Sequence, residues 1–115
     1  MTTLMIRLAI LIAALGVSAA PAFAQQSVAA DGEKVFAAKK CGICHLVGDA
    51  GNKKGPTLDG VGSKLTPADI RQWITNAPDM AAKANIARKP PMKAYTDFSK
   101  EDVDALVAYL ATLKK

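Results

Sequence analysis

Cys41, Cys44 and His45 are the residues of this sequence whose types and spacing could do chemistry. They are also its full supply of thiols and imidazoles, since the 115 residues contain two Cys and one His. A closed tetrahedral zinc site built from Cys and His needs four such ligands. A zinc finger is therefore effectively excluded, because a carboxylate or a second chain would have to complete the site.

The spacing of this motif, Cys41-Gly-Ile-Cys44-His45, is compatible with four kinds of site. They are a thioredoxin-like redox pair, half of a zinc site, a structural disulfide and the attachment site of a c-type haem. The redox pair requires a βαβ context that the sequence lacks, and a disulfide closing so short a loop would stabilise the fold least. Haem attachment is favoured because two thiols one helical turn apart reach two vinyl groups, while the next residue projects an imidazole to the iron.

Helix signals lie on both sides of the motif. Residues 31–40 favour a helix that leads directly into Cys41. Thr66-Pro67-Ala-Asp69 carries a capping Thr, a Pro at the first helical position and an acid at the third, which predicts a helix to about Asn76. A further helical turn is predicted over residues 79–84.

The segments between these helices are predicted to be loops. Residues 46–65 hold five glycines and show no period of 2 or 3.6, which indicates a long ordered loop that wraps something. Residues 88–95 cannot be helical through their prolines. Ser99 then caps a final helix. Its apolar residues recur three or four positions apart, at Val103, Leu106, Val107, Leu110 and Leu113.

Residues 1–24 have the pattern of an export signal. Arg7 precedes a strongly apolar stretch, and Ala22 and Ala24 supply the small residues that a signal peptidase needs. We expect cleavage before Gln25, which leaves an exported, periplasmic domain of residues 25–115. An uncleaved membrane anchor is disfavoured because the apolar stretch is shorter than the ~20 residues that span a bilayer.

Several short motifs occur in an order that resembles the class I (cytochrome c-like) monohaem c-type cytochromes. The resemblance covers essentially the whole predicted mature chain, and the pentapeptide is its specific part. The matching motifs are Gly32-x-x-x-Phe36, Cys41-x-x-Cys44-His45, Gly55-Pro56-Thr-Leu58-x-Gly60-x-Gly62, a Pro-flanked Met92, and Leu106 with Tyr109-Leu110. Lys93 follows Met92 where the family more commonly has a proline.

The resemblance implies an all-α, small single-domain cytochrome c-like fold, with three to five helices wrapped around one covalently attached haem c. Cys41 and Cys44 would bind this haem through thioethers, and His45 would be an axial ligand of its iron. The resemblance further implies that the carbonyl of Pro56 accepts a hydrogen bond from Nδ1–H of His45 and so orients the ring.

The resemblance also concerns the helices. The first and last helices of such proteins cross, and Gly32 would let them approach closely. Phe36 and Tyr109 would pack at the crossing, although generic helix-core roles fit the sequence equally well. A haem would also supply interior that a 91-residue helical chain with a mostly Ala core lacks.

Since the sequence has no other histidine, the soft candidates for a second axial ligand are thioethers. After residue 24 the candidates are Met80 and Met92. Met80 lies in a stretch predicted to be helical, where a packing role is favoured. Met92 follows Pro90-Pro91 in a rigid loop before the final helix, the place from which members of the family send a methionine across the haem face. We therefore expect Met92 to be the second iron ligand.

Two axial ligands leave no open coordination site, which disfavours oxygen binding and inner-sphere catalysis. We expect a soluble exported one-electron carrier with His45 and Met92 on the iron and with no catalytic residues. Two alternatives stay open. The chain could be the haem-bearing subunit of a periplasmic oxidoreductase complex, or an enzyme or gas sensor with an open haem.

Positive charge is concentrated between Lys39 and Lys93, a segment that contains ten basic and four acidic residues. This segregation suggests redox protein partners with an acidic docking surface, although a merely solvated face explains it equally well. Nucleic acid is not expected as a partner, because six aromatic residues are too few to stack bases along basic stripes. After signal cleavage no membrane span is expected, and the protein would be a monomer or a subunit of a redox complex.

Overall fold

The computed structural model describes residues 22–115, which are dominated by α-helices. The predicted export signal, residues 1–24, lies outside the described residues except for its last three positions. The described part contains five α-helices, one 3-10 helix and one two-stranded sheet, which confirms the all-α prediction. In chain order the elements are α1 (Ala22–Ala38), the 3-10 helix (Cys41–Ile43), β1 (Leu46–Val47), β2 (Ala50–Gly51), α2 (Val61–Lys64), α3 (Pro67–Thr75), α4 (Ala77–Lys83) and α5 (Lys100–Thr112).

The two longest helices, α1 and α5, pack closely against each other. Gly32 is buried at their contact, and a Cβ atom at this position would lie 1.9 Å from the backbone oxygen of Ala105. Only a residue without a Cβ fits between the two helices here. Beside it, the rings of Phe36 and Tyr109 meet edge to face, with centroids 5.8 Å apart and planes at 66°. Gly32 and the pair of aromatic rings thus lie together where α1 and α5 make contact.

Helix α3 begins where the sequence predicts, because Thr66 and Asp69 form a capping box. The Asp69 N–H donates to the Thr66 hydroxyl oxygen at 3.1 Å, and the Thr66 N–H donates to the Asp69 carboxylate at 3.3 Å. Pro67 occupies the first position, where its missing N–H costs nothing. The helix then buries Ile70 and Ile74 on one face.

Helix α5 supplies most of the core. Ser99 caps it by accepting a hydrogen bond from the Asp102 N–H at 3.1 Å, as predicted. Leu113, the last residue of the predicted apolar pattern, lies just beyond the helix and is only partly buried. The core cluster joins the buried faces of α3 and α5, and its members are Ile70, Ile74, Val103, Leu106, Val107 and Leu110.

Residues 46–65, predicted as one long loop, contain a small hairpin and a short helix. Strands β1 and β2 pair in antiparallel fashion, and Gly48 takes a left-handed conformation, with φ 58°, in the turn between them. Helix α2 follows, and Gly62 within it donates its N–H to the carbonyl oxygen of Leu113 at 2.8 Å. The prediction of a continuous loop is wrong, because elements of two to four residues are too short to show a period in the sequence.

Helix α1 also differs from its predicted range of residues 31–40. Within the described residues it already extends from Ala22, and Ala and Gln favour helices, but its residues 24–28 are exposed and give no periodic apolar signal. It ends at Ala38, and Lys40 adopts a left-handed conformation with φ 59° that turns the chain into the 3-10 helix. Within residues 22–115, no helix combines the length and the apolarity that crossing a bilayer requires.

Candidate functional site

A large cleft of about 1150 Å³ lies beside the core. It exceeds the range of about 300–1,000 Å³ that is usual for small-molecule pockets. Its walls come from every helical element and from the long loops, and Ile70, Leu106 and Leu110 belong to both the core and the cleft. The lining is predominantly apolar, as expected for a site that receives a large apolar ligand.

The two cysteines enter the cleft from the 3-10 helix. The N–H groups of Cys44 and His45 both donate to the carbonyl oxygen of Cys41, at 3.2 and 3.0 Å, which holds the motif in one tight turn. Both thiols are free and half-buried. Burial raises the pKa of the Cys41 thiol above its usual 9.0, so that this thiol is protonated at neutral pH.

The orientation of His45 is fixed by the backbone of the following loop. Its Nδ1 atom lies 2.9 Å from the carbonyl oxygen of Pro56. Because a carbonyl can only accept, Nδ1 donates the hydrogen of this bond, which leaves Nε2 as the ring nitrogen that could bind a metal. Gly55 lies against the ring, where a Cβ atom would come within 2.9 Å of the His45 Cε1 atom. The loop therefore has both the carbonyl and the small residue that this ring position requires.

Of the two candidate methionines, Met92 lines the cleft and is half-buried. Met80 lies in α4 and is not among the residues that line this cleft. The loop that carries Met92 is held to α3, since the Tyr95 N–H donates to the carbonyl oxygen of Ile74 at 2.9 Å. The Tyr95 ring, which also lines the cleft, lies 4.9 Å from the ring of Phe98, and burial raises the pKa of its phenol. The site thus brings Cys41, Cys44, His45 and Met92 to one cavity.

Sequence reasoning did not assign several cleft residues. Trp73 falls within the helix that the sequence predicts up to about Asn76, and in the structure it is half-exposed and lines the cleft. Tyr95 was treated only as part of an extended loop. A lone Trp and a Tyr beside the predicted ligands were the available signals. The lining contains no Asp or Glu within residues 22–115, and its charged members are Lys40, Lys54, Lys64, Arg88 and Lys93.

Comparisons with known proteins agree with this geometry. The Cytochrome c family matches the chain over residues 29–114. A curated relative, cytochrome c oxidase subunit 2 of Alkalihalophilus pseudofirmus, is 33% identical in an alignment 107 residues long that covers 86% of this chain. These residues cover 30% of that protein, so the chain spans less than a third of the relative's length. No solved structure gives a significant match.

Proposed function

Because the chain belongs to the cytochrome c family, we propose that it is a one-electron carrier with a single covalently bound haem c. The family match supports an electron-transfer haem protein. The observation that carries the proposal is the convergence of Cys41, Cys44, His45 and Met92 on one apolar cleft. No other arrangement within residues 22–115 combines two thiols, an imidazole and a thioether.

The residues of the cleft fit this cofactor. The thiol sulfurs of Cys41 and Cys44 would form thioether bonds to its two vinyl groups. The Nε2 of His45 and the sulfur of Met92 would be the protein ligands of its iron. When bound, haem c supplies reversible one-electron exchange between Fe(III) and Fe(II). If both residues bind the iron, no coordination site would be left for a substrate, and electron transfer would be outer-sphere.

The other cleft residues would influence the stability of the reduced iron and the rate at which a redox partner is met. The apolar walls exclude water, and the soft Met92 sulfur favours Fe(II). Pro56 holds the His45 ring in one orientation through the hydrogen bond at 2.9 Å. The five cationic side chains of the lining would raise the rate of encounter with a redox partner that presents an acidic surface.

The proposal includes export of the protein by an N-terminal signal peptide. Residues 1–24 would direct the chain to the periplasm and be removed before Gln25. Residues 24–28, which include the predicted cleavage position, are exposed. Mass spectrometry of the protein from an exporting host should give residues 25–115 plus one haem, with allowance for cyclisation of Gln25. A retained Met1 would contradict cleavage.

The second candidate is a haem-bearing subunit of an oxidoreductase complex. This second function is supported by the relative described above, which is named as a subunit of cytochrome c oxidase. The match to this chain covers 30% of that relative's length. Native purification under mild conditions separates the two functions. A carrier would elute alone at its monomer mass, whereas a subunit would copurify with a larger protein at fixed stoichiometry.

The experiment that tests the function is a redox titration of the purified haem protein followed by exposure of the reduced form to CO. A carrier should titrate reversibly with one electron per chain and bind no CO at neutral pH. Rapid CO binding would instead favour an open haem, the class of enzyme or gas sensor, and would contradict ligation by Met92.

A further inference from the structure

Two short segments lie on either side of the contact between His45 and Pro56. The first, residues 44–48, begins at the second cysteine, and the other, residues 55–59, contains Pro56. Two backbone hydrogen bonds hold the segments together. The Gly55 N–H donates to the Cys44 oxygen at 2.6 Å, and the Leu58 N–H donates to the Leu46 oxygen at 2.9 Å.

Asp59 ties the same two segments together through its side chain. Its Oδ1 accepts a hydrogen bond from the Gly48 N–H at 2.5 Å. Its Oδ2 lies 3.2 Å from the Thr57 hydroxyl, which also lies 3.3 Å from the carbonyl oxygen of Leu46. The carboxylate therefore joins a residue three positions after His45 to the residue directly after Pro56.

The surroundings of Asp59 strengthen these hydrogen bonds. Its side chain is 19% exposed, and its Oδ2 also forms an ion pair with the Lys115 ammonium at 3.2 Å. The Gly48 N–H and the Lys115 ammonium hold the pKa of this carboxyl below its ordinary value, so it is ionised at neutral pH. Hydrogen bonds to an ionised acceptor are shorter and stronger than bonds between neutral groups.

We propose that Asp59 is a positioning residue for His45, which acts by fixing the Pro56 carbonyl against the Nδ1–H of the imidazole. The inference rests on the proposed function, in which the Nε2 of His45 binds the haem iron. The Pro56 carbonyl belongs to the peptide plane that continues into the Thr57 nitrogen. Restraining Thr57 from one side and Gly48 from the other leaves this plane little freedom to rotate.

The expected consequence is electronic as well as structural. A strong bond from Nδ1–H to a carbonyl makes a metal-bound imidazole more basic, and a more basic ligand stabilises Fe(III). Loosening the carbonyl should expose the Nδ1 proton to solvent and raise the reduction potential. Asp59 never touches the cofactor in this account, and its effect passes through Thr57, Gly48 and Pro56.

The test uses the full-length haem protein, labelled with ¹⁵N and studied by NMR in the reduced, diamagnetic state. Asp59→Asn and Thr57→Val should each make the His45 Nδ1 proton exchange with solvent faster than in the wild-type protein, because the carbonyl that accepts its hydrogen bond is held less firmly. Both should also raise the reduction potential. Thr57→Val is informative because it changes no charge. Asp104→Asn is the matched control, since it also removes a carboxylate that forms ion pairs, here with Arg71 and Lys100, but lies outside this network.

Unchanged exchange and potential in both variants would overturn the inference. A higher potential in Asp59→Asn alone, with normal exchange of the Nδ1 proton, would also overturn it, because that result assigns Asp59 an effect of charge only. The proposed function is tested separately by the wild-type protein. If its spectrum lacks an iron-bound imidazole, that function fails before any variant is compared.

Discussion

At the scale of single residues, the assignment of the second iron ligand separates two methionines with different surroundings. Met92→Ala should lose the weak far-red charge-transfer band of the ferric protein, admit CO to the reduced form and lower the potential, because a soft ligand is removed. Absorption spectra with and without CO, and a redox titration, measure these three properties.

Met80→Ala is the matched control for this prediction, since Met80 is the other thioether among residues 22–115 and does not line the cleft. It should keep all three properties and lose about 2 kcal/mol of stability or less, because its side chain is only half-buried. Opening of the haem to CO in Met80→Ala, with a normal spectrum in Met92→Ala, would reverse the assignment.

Asp104 gives a prediction about pH at the same scale. It pairs with Lys100 and Arg71, and hydrogen bonds from these side chains lower the pKa of its carboxyl below the usual 3.8. A carboxyl with a lowered folded-state pKa stabilises the fold above its unfolded-state pKa, and this stability is lost as pH falls through the folded-state value. The wild-type protein should therefore be more stable than Asp104→Asn at pH 7, and the two should converge in acid.

Urea denaturation at pH 7 and near pH 3 measures the convergence. The difference at pH 7 should be small, since both pairs are partly exposed and water screens them. A difference between the two proteins that does not change with pH would show that Asp104 acts through packing and not through its charge.

At the scale of elements, the end of α4 illustrates how one backbone conformation fixes a loop. The Ile86 N–H donates to the Ala81 oxygen at 2.9 Å and the Asn85 N–H to the Ala82 oxygen at 3.2 Å, which is a Schellman motif. Asn85 is left-handed, with φ 54°. This turn directs the chain from α4 toward the Met92 loop.

Asn85→Ala should lower the stability by about 1 kcal/mol, because a Cβ without a polar partner disfavours the left-handed region. Asn85→Gly is the control, and it should match or slightly exceed the wild-type stability. Chemical denaturation of the three proteins provides the comparison. Equal stability of the Ala and Gly variants would show that the left-handed residue contributes nothing to the end of the helix.

The elements that the sequence predicts well are those with signals in their own residues. Helices α3 and α5 begin at Thr66 and Ser99 because these side chains cap them, and such caps can be read directly. The hairpin and α2 could not be predicted, since their geometry depends on contacts with distant residues. Gly62, for example, bonds to Leu113 near the end of the chain.

The same division holds for the site. The pentapeptide can be identified from residue types and spacing, whereas the prediction of Met92 also uses the resemblance to the family. Asp59 does not, because its partners Gly48 and Lys115 lie 11 and 56 residues away, and no local pattern marks an aspartate with such contacts. Trp73 was assigned to the right helix, but its place on the cleft depends on how α3 turns against α5.

At the scale of the whole molecule, the core and the cleft are one body of apolar side chains. Ile70, Leu106 and Leu110 contact the core on one side and line the cleft on the other. A small helical domain buries too low a fraction of its surface to be strongly stable alone. Filling the cleft would therefore complete the interior as well as supply the redox chemistry.

The variant with Cys41→Ser and Cys44→Ser tests this coupling, since it cannot attach haem covalently. We expect it to lose the cooperative thermal transition, because a small domain has only about 5–15 kcal/mol of stability in total and the cleft would lack its occupant. Far-UV circular dichroism during heating is the measurement. The wild-type haem protein is one reference, and Cys44→Ser, which retains one thiol for attachment, should melt between the two. A sharp transition in the double variant without haem would mean that the packing of α1, α3 and α5 suffices, and that the cofactor is held by a fold that is already complete.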